Sequence, residues 1–310
     1  MIVERLVKKQ LERLAEDHPT RQLKHCVNQG QVKYPCRACA EICPQGVYTG
    51  AMGEKTDFSV CINCNLCVST CPARCLAPSA LNAAAYLRTL QMPDKCIVIS
   101  GSGDAGAHLQ VASLAALPWE FLACLAWDHK VLLLTGPLQE AEKKLLGKTL
   151  ARLILFFGQE TYADRFTLAP SGTEIPAVQL DRRALFHRAG RELQSRLLPS
   201  QWGQEEIDGL LYRRLLADKM QSAQDDRVYG FPMPRVEASC TGCTVCQMLC
   251  PQKAIQIQQE PNGFSVVLDP LHCNGCGLCT KTCIHQAISG MATAQRHTMA
   301  PVRLFRTENE

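Results

Sequence analysis

Between residues 81 and 234 the apolar positions alternate between two rhythms. Asn82 to Leu90 has helical spacing and is closed by Pro93. Cys96-Ile97-Val98-Ile99-Ser100 is a short continuous apolar run, the pattern of a strand buried on both faces. Glycines follow at 101, 103 and 106, and the next stretch, to Leu117-Pro118, is expected to be helical. Trp119 to Trp127 predicts another helix, and Val131 to Gly136 a second buried strand. Pro137 stands where a helix begins, and Gln139 to Phe157 fills that helix, with Glu140, Glu142, Lys143, Lys144 and Lys148 on its wet face. Phe166 to Ala169 is a third strand, and residues 181–224 read as helices broken at Pro199 and Gly203. Strand and helix alternating at this spacing predict a small parallel α/β domain, with Pro232-x-Pro234 at its far boundary. At the chain start, Ile2, Val3, Leu6, Val7, Leu11 and Leu14 recur at helical spacing among charged residues, and His18-Pro19 ends that helix.

The two flanks lack such periodicity and are organised by cysteine. The 310 residues hold nineteen cysteines, too many for ordinary packing. No secretory signal precedes them, because residues 1–20 are charged. No apolar run nears the roughly 20 residues of a membrane span. A reducing, cytoplasmic setting is expected, in which clustered cysteines mean metal rather than disulfides. The formal charge of +4 is mild, and no basic block argues for nucleic acid.

The spacing is specific. Cys240, Cys243, Cys246 and Cys250-Pro251 form C-x2-C-x2-C-x3-C-P, and Cys273, Cys276, Cys279 and Cys283 repeat it. Cys61, Cys64, Cys67 and Cys71-Pro72 make a third run. Cys36, Cys39 and Cys43-Pro44 match the last three positions of a fourth, with Lys33 where the first cysteine belongs. Cys26 is the best substitute, with Asn28-Gln29-Gly30 turning an insertion outward. Cys75 is a rival ligand, and a site with three protein ligands is a third possibility. Zinc usually takes separated C-x2-C pairs and fits tandem four-cysteine runs badly. Cys96 and Cys124 are assigned as small buried hydrophobes.

These runs resemble the bacterial-type two-[4Fe–4S] ferredoxin family over roughly residues 26–80 and 236–290. That family implies crossed ligation, the fourth cysteine of each run serving the other cluster. The implied sets are Cys240, Cys243, Cys246 with Cys283; Cys273, Cys276, Cys279 with Cys250; Cys61, Cys64, Cys67 with Cys43; and Cys26, Cys36, Cys39 with Cys71. Four [4Fe–4S] clusters follow. Ile284 stands where the family has proline, which is expected to alter packing and not ligation. The central part is loosely similar to the α/β domain of iron–sulfur subunits associated with hydrogenase and heterodisulfide reductase, a likeness of fold alone.

The expected architecture is α+β: an N-terminal helix (1–25), ferredoxin-like dicluster modules at 26–80 and 235–290 on either side of a small α/β domain with a parallel sheet (81–234), and a tail (291–310). The expected function is electron transfer as a polyferredoxin subunit, without catalysis of its own. Its partner would be the catalytic subunit of a formate dehydrogenase- or hydrogenase-like oxidoreductase. The alternatives are an assembly or interaction factor for a redox enzyme, or an NAD(P)- or flavin-linked oxidoreductase. The last would use the G-x-G-x-x-G at Gly101 to Gly106, which has a strand expected before it and a helix after it but an awkward Asp104 inside it. No Ser/His/Asp or Cys/His set can be assembled, and His108, His129 and His187 read as structural or exposed.

Overall fold

The computed structural model describes residues 17–28, 36–50, 55–174, 210–223 and 227–307. The amphipathic opening up to residue 16, Lys33, His187 and the breaks at Pro199 and Gly203 lie outside the described residues.

The first cysteine-rich part is built from very short elements: β1 (Thr20–Arg21), α1 (Ala38–Ile42), β2 (Tyr48–Thr49), β3 (Lys55–Thr56), α2 (Leu66–Thr70) and β4 (Leu76–Ala77). β1 pairs antiparallel with β4, and β2 with β3. α3 (Ala80–Leu90) leads out of it, with the Ser79 hydroxyl accepting from Asn82 N as its cap.

The centre then forms a parallel sheet. Its strands are β5 (Cys96–Ser100), β6 (Leu109–Gln110), β7 (Lys130–Thr135) and β8 (Phe166–Pro170), in the order β6-β5-β7-β8. Ile97, Ile99, Val131 and Leu133 turn one face into the main core, and Val98, Leu132 and Leu134 lie buried on the other, as strands of a doubly covered sheet should. α4 (Trp119–Asp128) is buried over Trp119 to Ala126 and runs through the core beneath the sheet. α5 (Glu140–Phe157) is amphipathic and opens with a capping box between Gln139 and Glu142. α6 (Gln159–Arg165) and α7 (Leu211–Ser222) complete the helices of this part among the described residues. Gly147 lies in the exposed middle of α5 with nothing within 4 Å of a Cβ built on it. Gly147→Ala should therefore raise stability by about 0.5–1 kcal/mol, read as a higher melting temperature with unchanged iron content.

Two expectations fail here. No helix follows Gly101–Gly106; the chain goes into β6, and a single 3-10 turn, Leu114–Ala116, follows. β6 pairs parallel with β5 after only a short loop. Pro232-x-Pro234 is not a boundary but part of β9 (Tyr229–Val236), which pairs antiparallel with β12 (Ile288–Arg296). The prolines are tolerated because this ribbon has two strands, so each has a free edge that needs no N–H donor.

The last part continues with α8 (Val245–Leu249), β10 (Ile255–Glu260), β11 (Gly263–Leu268), α9 (Leu278–Thr282), β12 and β13 (Val302–Arg306). β10, β11 and β13 form an antiparallel sheet. Residues 291–296 and 302–306, expected in a tail, are thus sheet strands. Tyr229, Phe231 and Met233 of β9 join the same core as α4 and α5: Phe156 stacks on Tyr229 at 4.9 Å and meets Phe231 edge-on at 5.5 Å.

Candidate metal centres

All nineteen cysteines are free thiols. Sixteen of them sit in a backbone pattern that recurs. Each five-residue helix carries the third cysteine of a run and ends on the fourth: Cys39 and Cys43 on α1, Cys67 and Cys71 on α2, Cys246 and Cys250 on α8, Cys279 and Cys283 on α9. The third residue beyond each fourth cysteine has left-handed backbone: Gly46, Arg74, Lys253 and Gln286, at φ 64, 53, 53 and 51°. Three runs also place left-handed residues two after the first cysteine (Asn63, Gly242, Gly275) and one after the second (Asn65, Thr244, Gly277). These turns aim amides at sulfur. Val47 N donates to Cys43 Sγ at 3.4 Å, and Ala254 N and Ala287 N to Cys250 and Cys283 Sγ at 3.2 Å. Asn63 N donates to Cys61 Sγ at 3.4 Å. Amides that donate to a thiolate favour its charged form.

The thiols fall into interleaved groups. Burial pushes Cys67 up to about 12; the Tyr48 hydroxyl, donating at 3.3 Å, opposes the shift, and the thiols of Cys64, Cys43 and Cys61 reinforce it. Burial pushes Cys246 to about 11, with Cys240, Cys243 and Cys283 as its sulfur neighbours. It pushes Cys276 to about 11 and Cys279 to about 12, both beside Cys273 and Cys250. It raises Cys36, and Cys39 to about 11, both next to Cys71 and Cys26. In every group the fourth cysteine of one run sits among the first three of another.

The irregular site keeps the rule despite its insertion. The Asn28 side chain clamps Cys36, its Nδ2 donating to Cys36 O at 2.7 Å and its Oδ1 accepting from Cys36 N at 3.1 Å. Residues 29–35 lie outside the described residues. The Asn28 backbone amide faces Cys26 sulfur, as Asn63 faces Cys61 and Gly275 faces Cys273. Cys75 is also here, 3.5 Å from Cys71 Sγ. It stands four residues beyond a fourth cysteine, the position filled by Val47, Ala254 and Ala287 elsewhere, and its backbone amide likewise serves Cys71. Its S–H lies against both neighbours, so the hydrogen bond from Cys75 holds Cys26 down to about 5 and Cys71 to about 6, while Cys75 itself is pushed far up.

In each group at least one thiol is raised by burial and resists ionisation until a cation compensates it, which is what a metal supplies. No three Cys, His, Asp or Glu side chains among the described residues converge closely enough for one metal ion. Buried polar atoms stand without partners beside the Cys273 loop: Asn274 Nδ2, Thr280 Oγ1, and Arg213 Nε and Nη2. The residues fit a sulfide-bearing, anionic group.

The remaining expected features are structural. Cys124 is buried on α4 and donates to Tyr212 O at 3.3 Å, and Cys96 is half-buried at the start of β5. His108 Nδ1 accepts from Val98 N at 2.9 Å, and His129 Nδ1 donates to Asp94 O at 2.7 Å. In the glycine loop, the Asp104 carboxylate accepts from Ser100 Oγ at 2.7 Å, Ser102 Oγ at 2.9 Å, Ser171 Oγ at 2.7 Å and Gly172 N at 2.8 Å. These donors hold it far below the usual carboxylate range. A fixed negative charge fills the place of a phosphate, and with no helix N-terminus there the loop is a turn, not a dinucleotide cradle. Ile284 is 69% exposed, so the exchange for proline disturbs little packing, and the left-handed turn at Gln286 persists.

Residues 239–287 match the 4Fe-4S dicluster domain family, and residues 58–74 match a 4Fe-4S binding domain. No curated protein and no solved structure matches the chain. Over these stretches it is an iron–sulfur, ferredoxin-type protein, and such domains support an electron-transfer role. No helix among the described residues is long and apolar enough to cross a membrane.

Proposed function

We propose that the chain carries four [4Fe–4S] clusters, two from each flank, and passes electrons along them as a polyferredoxin subunit of a larger oxidoreductase. When bound, the clusters supply one-electron carriers. The chain's residues supply thiolate ligation, amide hydrogen bonds to sulfur and spacing. The observation that carries this reading is the recurrence of one backbone pattern, in which four short helices each present a third cysteine and end on a fourth that sits in another run's group. In the irregular group the ligands would be Cys26, Cys36, Cys39 and Cys71, with Cys75 beside them as a packed thiol.

The contacts also support an order. His25 Nδ1 donates to Pro251 O at 2.8 Å, and buried Gln252 donates to Ala73 O at 2.6 Å. Leu278 packs in one core with Cys26, Cys71 and Cys75, and Cys276 packs against it. The Cys26/Cys36/Cys39/Cys71 and Cys250/Cys273/Cys276/Cys279 groups are therefore the inner neighbours. The Cys43/Cys61/Cys64/Cys67 and Cys240/Cys243/Cys246/Cys283 groups are the outer ends. Exposed Val60 and Ile62 flank one end; exposed Met248, Ile284 and Cys243 flank the other. Apolar side chains around an end suit a protein redox partner, the catalytic subunit of an oxidoreductase. Exposed thiolate ligation suits a reducing, cytoplasmic compartment.

Iron and acid-labile sulfide should each reach about sixteen per chain in anaerobically purified protein, and dithionite should produce reduced-cluster EPR signals. Cys243→Ala should remove about a quarter of the iron and leave the N-terminal signals intact. Unchanged iron in that variant, or zinc in place of iron, would reject the assignment.

A further inference from the structure

Two helices of the central domain and the turn before β4 bring three arginines together beside the Cys273 loop. Arg213 of α7 is 1% exposed and donates through Nη1 to Cys273 O. Its Nε and Nη2 meet no acceptor among the described residues. Arg152 of α5 lies against the other edge of the same loop, its Nη2 3.8 Å from where a Cβ on Gly275 would be. The two guanidinium groups flank one indole: Arg152 is 5.2 Å and Arg213 5.7 Å from the Trp119 ring centre. Arg74 completes the group, bound at 2.9 Å to Glu120.

The charges here do not balance within the protein. Arginine stays protonated in proteins, so three positive charges face one buried carboxylate, Glu120. The next acid, Asp269, is already held by His272 at 2.7 Å. The Trp119 face relieves part of the cost through its quadrupole, but two guanidinium groups still lack a counter-ion. Buried charge of this kind persists only when something anionic sits beside it. The one neighbour able to supply that is the thiolate group of Cys250, Cys273, Cys276 and Cys279, which on the function proposed above ligates an anionic cluster.

We propose that Arg213 and Arg152, braced by Trp119, are positioning residues that set the potential of the centre held by Cys250, Cys273, Cys276 and Cys279. Positive charge beside this centre favours its reduced, more negative state, so it is held at a higher potential than it would have without the two guanidinium groups. An electron arriving at the junction of the two flanks is drawn to this group. Glu120 works in the opposite direction, drawing off one positive charge through Arg74.

The test is a potentiometric EPR titration of the holoprotein, with iron counted on each sample. Arg213→Met and Arg152→Met should keep wild-type iron content and lower one midpoint. A tenfold change in the one-electron equilibrium, ~59 mV, is the expected scale for each. Arg213→Lys should restore most of the lost potential. Glu120→Gln should raise the same midpoint, which provides a reading even if Arg213→Met fails to fold. Normal iron with no midpoint moved in Arg152→Met and Glu120→Gln would overturn the inference. Wild-type protein that binds no iron would instead sink the function on which it rests.

Discussion

Serine in place of Cys26 should strip about four irons from each chain, whereas serine in place of Cys75 should leave iron content unchanged. Both thiols are buried in the same core and both lie near Cys71, so proximity alone does not separate them. Backbone position does. Cys26 receives the amide of the residue two places on, as the first cysteines of regular runs do. Cys75 occupies the place held elsewhere by valine and alanine, side chains that ligate nothing. A serine hydroxyl at position 75 is smaller than a thiol and loses contacts with Cys71 and Cys26, so a modest fall in melting temperature of the holoprotein is expected. Iron and sulfide analysis of the two variants side by side decides the matter. Loss of about four irons in Cys75→Ser, with retention in Cys26→Ser, would reverse the assignment. Loss in both would mean that Cys75 is needed to assemble the site.

Much of this was readable from local sequence, for a physical reason. The first three cysteines of a run lie close together on one loop, so the spacing within Cys61 to Cys71, Cys240 to Cys250 or Cys273 to Cys283 encodes that loop's geometry directly, while the crossed fourth ligand comes from farther along the chain. The same holds for the strands Cys96–Ser100 and Lys130–Thr135, where uninterrupted apolar residues leave a buried strand as the economical arrangement. What was hidden depends on partners far along the chain. Pro232 and Pro234 looked like a break, because nothing local says that β9 has one unpaired edge. The stretch after Gly106 carries apolar residues that suit a helix, yet β5 takes it as a parallel neighbour. Residues 302–306 break alternation at Leu304-Phe305, where a bulge falls, and their partner, β11, lies some forty positions earlier, so nothing local announced the strand. Arg152 and Arg213 sit in helices rich in charge, where nothing local marks them; only the placement of Trp119 and the Cys273 loop brings their guanidinium groups together.

The second large effect concerns how the last part of the chain is seated. Gly230→Ala should destabilise the protein by about 1–3 kcal/mol or more and release β9 from α5. A Cβ at position 230 would run into Leu155 O and lie 2.9 Å from Leu155 C, both backbone atoms of α5. No rotamer change relieves a clash with helix backbone, so the strand must lift or the helix must bend. The strand cannot lift alone. Tyr229 and Phe231 on either side of Gly230 are locked against Phe156, and Tyr229 stacks on Trp127 at 5.1 Å. Opposite, Gly230 pairs with Gln295 in the ribbon that begins at Ile288, just beyond Cys283. Shifting β9 would therefore disturb the Arg152 contact with the Cys273 loop, since Pro232 of the same strand packs 3.1 Å from the Gly275 Cβ position. The expected signature is a lowered melting temperature together with a lowered midpoint for the Cys250/Cys273/Cys276/Cys279 centre at near-normal iron. Gly147→Ala, in the same helix α5 but in open space, is the matched control and should move neither downward. A Gly230→Ala protein that melts like wild type would show that β9 does not pack on α5 as closely as described, and the seating of the C-terminal centres would have to be redrawn.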